Sequence, residues 1–221
     1  MKNAIDPCPL CSSEASLLFS KDRFREYYHC QECDLIFVPS KYHLSPEQEK
    51  ERYDLHENDP NDPGYRKFLS TLVDPMAEIV PKGSKGLDFG SGPEPVMANM
   101  LKDLGYEMAL FDKYYADDKK VFTQQYDFIT CCETIEHFAN PKKELELMVS
   151  LLKPGGWLGI KTNLFDFKPH SFDNWHYKRD LTHICFFSEK SFSWISQKVD
   201  GSISKMSRTV FMFQKPSIGK T

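Results

Sequence analysis

Four cysteines come in two pairs, Cys8-Pro9-Leu10-Cys11 and Cys30-Gln31-Glu32-Cys33, with eighteen residues between the pairs. Each pair sits on a tight turn that aims two sulfurs at one point, and two such turns complete a tetrahedral thiolate site. With all four positions filled by cysteine, the ion has no open coordination position, so it is structural. Zinc is the expected metal, and a rubredoxin-like iron site is the alternative that spacing leaves open. Zinc modules often grip nucleic acid, but residues 1–40 carry four Lys or Arg against six Asp or Glu.

A second constellation is the run Gly86-Leu87-Asp88-Phe89-Gly90-Ser91-Gly92. It lies between an apolar strand-like stretch and a helical pattern, the setting a cofactor-binding turn requires. Gly90 and Gly92 let the backbone turn sharply and approach a ligand. The following helix N-terminus offers unsatisfied N–H groups. Asp112 ends the next strand, where a carboxylate can accept both ribose hydroxyls. Pro95 stands where a dinucleotide fingerprint needs its third glycine, which counts against a nicotinamide-dependent oxidoreductase.

The third group is histidine. His137 follows an apolar strand, and His170, His176 and His183 lie in residues 163–187 among seven aromatic residues. Any of them could act as a base on a nucleophile that must lose a proton. His183 ranks first and His176 second. A packing or solvent-exposed role is the ordinary alternative for each, as it is for Tyr65 and for Cys131 and Cys132.

These residues need elements to hold them. Residues 16–19, 27–29 and 35–38 look like short strands, and Ser45 and Pro46 open a helix. Turn residues 58–64 mark a boundary. Apolar residues from Phe68 to Val80 recur at helical spacing, and Asp74-Pro75 should bend or interrupt that helix. Strands follow at 87–89, 108–111, 128–131 and 157–160. Helices alternate with them, one at 96–104 and one through Leu145, Met148, Val149 and Leu152 that Pro154-Gly155-Gly156 should end. This α/β alternation implies a parallel sheet covered on both faces. A helix at 189–199 and a hairpin from 202–206 and 209–213 close the chain. The division expected is a four-cysteine, zinc-ribbon-like module at 1–44 and an α/β domain at 45–221. Residues 163–187 would form an irregular cap over the substrate.

The motifs together resemble class I S-adenosylmethionine-dependent methyltransferases. The run at 86–92 is similar to their first motif, residues 126–137 to their fourth strand and the turn after it, and residues 151–157 to the turn into their fifth. Within that class, residues 175–188 also resemble a late motif of the group around ubiquinone-biosynthesis methyltransferases. The resemblance covers about residues 60–213 and implies a Rossmann-like sheet, S-adenosylmethionine as cofactor and a small-molecule acceptor with an O, N or C nucleophile. It implies that Asp88, Gly90, Ser91 and Gly92 surround the methionine part of the cofactor and that Asp112 holds its ribose. Tyr65, Cys132 and Glu133 would flank it. Only fourteen residues separate Asp112 from Asp127, too few for the family's usual helix, third strand and adenine-contacting turn. An adenine pocket would be improvised from Lys113, Tyr114 and Tyr115.

The net charge of −4 argues against an RNA methyltransferase, which would need a basic footprint. A cofactor-binding protein without turnover is the other alternative. No apolar run approaches the ~20 residues of a membrane span, and no apolar segment marks a leader. The expected setting is the reducing cytoplasm, where cysteines stay as thiols or bind metal. No feature of the sequence points to a particular oligomer.

Overall fold

The computed structural model describes residues 6–55, 58–167, 171–198, 201–205 and 207–217. In chain order the strands are β1 (Ser16–Lys21), β2 (Glu26–Cys30), β3 (Ile36–Phe37), β4 (Lys85–Phe89), β5 (Glu107–Phe111), β6 (Tyr126–Cys132), β7 (Leu152–Lys161), β8 (Cys185–Phe186), β9 (Ser202–Lys205) and β10 (Val210–Gln214). The α-helices are α1 (Pro46–Tyr53), α2 (Pro63–Ile79), α3 (Val96–Asp103), α4 (Pro141–Leu151), α5 (Ser171–Asn174) and α6 (Glu189–Lys198). The chain divides into two compact units, one of residues 1–55, 135–145 and 163–195, the other of 56–134, 146–162 and 196–221. Residues 135–145 and the expected cap at 163–187 fall in the same unit as the four cysteines.

The second unit is a six-stranded sheet in the order β5-β4-β6-β7-β10-β9. β5, β4, β6 and β7 run parallel, and β10 and β9 are antiparallel. Leu69, Leu72, Val73 and Met76 of α2 pack with Val96, Met97 and Leu101 of α3, Phe128 and Met212. Close approach depends on glycine here: a Cβ on Gly159 would lie 2.8 Å from both Leu72 and Met76. Pro75 does not interrupt α2. The buried residues on both sides of it fasten the helix to the sheet, which outweighs one lost hydrogen bond. The turn at 154–156 also differs from expectation: α4 ends at Leu151, and Pro154, Gly155 and Gly156 lie within β7. Its pairing with β6 shifts register between Tyr126 and Phe128, which accommodates them. Between β5 and β6 there is one turn of 3-10 helix, Lys119–Thr123.

The first unit is a four-stranded antiparallel sheet, β1-β2-β3-β8. β8 comes from the expected cap and pairs Cys185 with Phe37 and Phe186 with Ile36. The described part of 163–187 is therefore structured. Phe165, Phe172, Tyr177 and Phe186 are buried, and Phe172 stacks edge-on against Tyr27 and Phe186. Aromatic packing hides this segment from a search for helical or strand periodicity. α1 opens with the expected capping box on Ser45.

Candidate functional site

In the second unit the glycine turn leaves the end of β4. Gly90 and Gly92 both have positive φ, +83° and +66°. A Cβ on Gly90 would lie 2.2 Å from the Thr134 side chain, whereas one on Gly92 would meet nothing within 4 Å. The turn is tied to the end of β5, since Gly90 and Ser91 N–H both donate to Phe111 O, at 2.7 and 3.1 Å. Asp112 completes the anchor. One carboxylate oxygen accepts from Gly92 N–H at 3.0 Å, and the other accepts from Tyr114 and Tyr115 N–H at 2.8 and 3.2 Å. Asp112 thus sets the shape of the turn. The buried Ser91 hydroxyl has no hydrogen-bond partner among the described residues, an unmet demand that a polar ligand would answer. Asp88 lies beneath, buried, accepting from Thr130 Oγ1 at 2.8 Å. Burial pushes its carboxyl up to about 6.

Three further expected residues gather at the end of β6. Cys132 packs against the core with Tyr65. Glu133 holds a left-handed backbone, φ +46°, uncommon outside glycine and asparagine. Burial pushes Tyr65 up to about 12, with Cys132, Asp88 and Glu133 adding to the effect. The Lys113 ammonium lies 4.6 Å from the Tyr114 ring centre. Beside them, Phe111 packs on Phe89 and Phe122, with ring centres 4.9 and 4.7 Å apart.

In the first unit the four cysteine sulfurs lie within 4.8 Å of one another. Cys8 and Cys33 Sγ are 3.5 Å apart, and Cys11 and Cys30 Sγ are 3.4 Å apart. Sulfurs around a tetrahedral zinc at 2.3 Å would stand about 3.8 Å apart, so the set fits that ion with small adjustment. The two knuckles repeat one design: Ser12 N–H donates to Cys8 O and Asp34 N–H to Cys30 O, and both Ser12 and Asp34 have positive φ. The Cys33 thiol draws Cys8 down to about 6, and burial pushes Cys11 up to about 12. A thiolate already favoured at one position is what a metal ion needs.

The same unit brings His137 and His183 together, with ring centres 4.7 Å apart. His137 Nδ1 lies 3.1 Å from Thr182 O, and His183 Nδ1 lies 2.7 Å from Tyr177 O. A carbonyl only accepts, so both imidazoles carry their proton on Nδ1 and present Nε2 as the basic nitrogen. Burial, with His183 alongside, drops His137 to about 3. Asp180 stays ionised despite burial because Thr182 N–H and Oγ1–H donate to it, and it stands 4.0 Å from His183 Nε2. His176 is exposed on the adjacent 3-10 helix, and His170 lies outside the described residues.

A family model described as a methyltransferase domain matches residues 63–200, more than half of the chain. The chain belongs to the methyltransferase domain family. Ubiquinone biosynthesis O-methyltransferases are among its relatives. That of Salmonella enteritidis is 32% identical over 77 residues, 35% of this chain and 32% of the relative. That of Vibrio atlanticus is 30% identical over 87 residues, 39% of this chain and 37% of the relative. The matched stretches span about a third of the length of these curated relatives. Among solved structures, human N-acetylserotonin methyltransferase in complex with SAM aligns with a TM-score of 0.55 at 14% identity, covering 76% of this chain and 57% of that one. Magnesium protoporphyrin IX methyltransferase of Synechocystis with bound SAH gives 0.51 at 10% identity, covering 76% and 94%. These likenesses show a shared fold.

Several residues of this methyltransferase-family chain escaped the sequence reading. Glu136 is buried and accepts from the Tyr177 hydroxyl. Lys161 is 3% exposed, lies 3.8 Å above the Phe68 ring and stands 3.6 Å from Glu133. Arg25 is fully enclosed. A charged residue inside an apolar strand, as Lys161 is in β7, was the one available signal.

Proposed function

We propose that this chain transfers a methyl group from S-adenosylmethionine to a small-molecule acceptor. The observation that carries the reading is the glycine turn after β4, anchored on both sides by Phe111 O and Asp112, with the buried Ser91 hydroxyl left to a ligand. The relatives' O-methyltransferase names and the SAM and SAH of the structural neighbours support the choice of cofactor.

The cofactor, when bound, supplies a methyl group on a sulfonium, ready for in-line attack. Protein residues then bind and orient. Gly90, Ser91 and Gly92 receive the methionine part, Asp112 the ribose, and Lys113, Tyr114 and Tyr115 the adenine. Tyr65, Cys132 and Glu133 line the donor side. For a hydroxyl acceptor, His183 takes the proton on Nε2 and Asp180 stabilises the imidazolium. His137, with a conjugate acid near 3, is too weak a base at neutral pH and serves as a neutral partner. Residues 163–187 read the acceptor, Cys8, Cys11, Cys30 and Cys33 hold a structural zinc, and the protein works in the cytoplasm.

The test uses methyl-labelled S-adenosylmethionine with phenols, amines and enolisable acids as acceptors. Label should enter one small-molecule class, and His183→Ala should lower turnover by about 10²–10⁴-fold with cofactor affinity unchanged. Label entering RNA, or tight cofactor binding with no transfer to any acceptor, would contradict the reading.

A further inference from the structure

Arg25 is 2% exposed, one of the largest fully buried side chains of the first unit. It stands in the turn between β1 and β2, five residues before Cys30. Its guanidinium donates from Nε to Tyr27 Oη at 3.0 Å, from Nη1 to Leu181 O at 3.0 Å, and from Nη2 to Lys178 O and Asp180 O, both at 2.8 Å. Tyr27 in turn donates to Asp22 at 2.7 Å, and Asp22 accepts from Arg25 N–H at 3.0 Å. Desolvating a cation is costly, and here the cost is offset by hydrogen bonds to three carbonyls of one short loop, which the guanidinium thereby holds.

The loop it holds is the one that orders the histidines. Residues 178–181 lie between Tyr177, whose carbonyl faces His183 Nδ1, and Thr182, whose carbonyl faces His137 Nδ1. Asp180, gripped through its own carbonyl, directs its carboxylate to Thr182 and toward His183. From this we infer that Arg25, supplied by the cysteine module, is a positioning residue that fixes the tautomers of His137 and His183. Its geometric content stands alone, and its bearing on turnover rests on the proposed role of His183 as base. The module thereby acquires a task other than gripping nucleic acid: its metal-stapled knuckles hold the strand pair from which Arg25 reaches the loop. Lysine cannot replace it, because one ammonium lacks the planar fork that spans three carbonyls.

The experiment is long-range proton–nitrogen correlation on histidine-labelled full-length protein, native and Arg25→Lys, with zinc content and S-adenosylhomocysteine affinity measured on both. The native protein should show His137 and His183 as Nδ1–H tautomers. In Arg25→Lys at least one should become a tautomer mixture, and turnover should fall on the order of 100-fold, with zinc and cofactor binding retained. Should Arg25→Lys not fold, Tyr27→Phe, which removes the Nε acceptor and the hydroxyl's bond to Asp22 but leaves the three carbonyl contacts of the guanidinium, should give a smaller change of the same kind. A folded, zinc-loaded variant that keeps both native tautomers overturns the inference. A tautomer change with unaltered turnover supports the positioning and overturns the base assignment instead.

Discussion

The two compact units solve the problem of holding a site by different means. The second unit rests on a six-stranded sheet, with β6 and β7 of seven and ten residues at its centre, and on a core from α2 and α3. Its glycine turn is a local object: Asp88, Gly90, Ser91 and Gly92 lie within five residues, and Asp112 follows the next strand. The first unit has four short strands, two of them of two residues. It gathers Arg25, Glu136, Tyr177 and His183 from three separated stretches of chain. There, a four-cysteine cluster, buried charge and aromatic rings stand in for an extended hydrogen-bond ladder. The first arrangement tolerates changes in neighbouring segments, whereas the second depends on a few staples.

The largest test of this contrast is loss of the metal. Cys30→Ser should abolish zinc binding and, because such binding supplies on the order of 10 kcal/mol of folding energy, expose β1, β2, β3 and β8 to hydrogen exchange. β4, β6 and β7 should keep their protection. Equal loss of protection in both sets would show that the units do not stand apart energetically.

Next in size is Gly90→Val. Its side chain would meet Thr134 and strain a φ of +83°, so S-adenosylhomocysteine affinity should fall by about 100-fold or more with zinc content unchanged. Calorimetry and metal analysis on one preparation check both halves.

A smaller effect comes from titration, with opposite signs in the two units. Asp88 is raised to about 6 by burial, so the folded second unit holds a proton that the unfolded chain has released. Its contribution to stability is full below about pH 4 and is lost as pH rises through about 6, a change of at most about 3 kcal/mol. His137 is lowered to about 3, by burial first and then by His183. Its contribution is full above about pH 6.5 and is lost as pH falls toward 3. Melting curves across this range should flatten on the acid side for His137→Gln. They should lose the decline between about pH 4 and 6 for Asp88→Asn. Unchanged profiles in both variants would remove the titration argument.

The contrast also explains what could be read from sequence. The cysteine pairs, the glycine turn, α3 and the closing β9–β10 hairpin were legible because each rests on local spacing or periodicity. The short stretch after Asp112 announced that no full helix and strand could fit before β6, and one turn of 3-10 helix lies there. Pro75 does not interrupt α2, because a local penalty is outweighed by the buried face of the helix. The β3–β8 pairing, the grip of Arg25 on residues 178–181 and the Glu136–Tyr177 contact were not legible. They join residues more than 40 positions apart, and no periodicity records such a meeting. His183 stood out by its motif, while its partnership with His137 emerged only from the fold.

The most direct test of the central claim is calorimetric titration of the intact, zinc-loaded protein with S-adenosylhomocysteine and, separately, with a nicotinamide dinucleotide. S-adenosylhomocysteine should bind once per chain, Asp112→Ala should weaken it by about 1–3 kcal/mol, and the dinucleotide should give no heat. Binding of the dinucleotide with no binding of S-adenosylhomocysteine would contradict the assignment of the glycine turn and the methyl-transfer reading built on it.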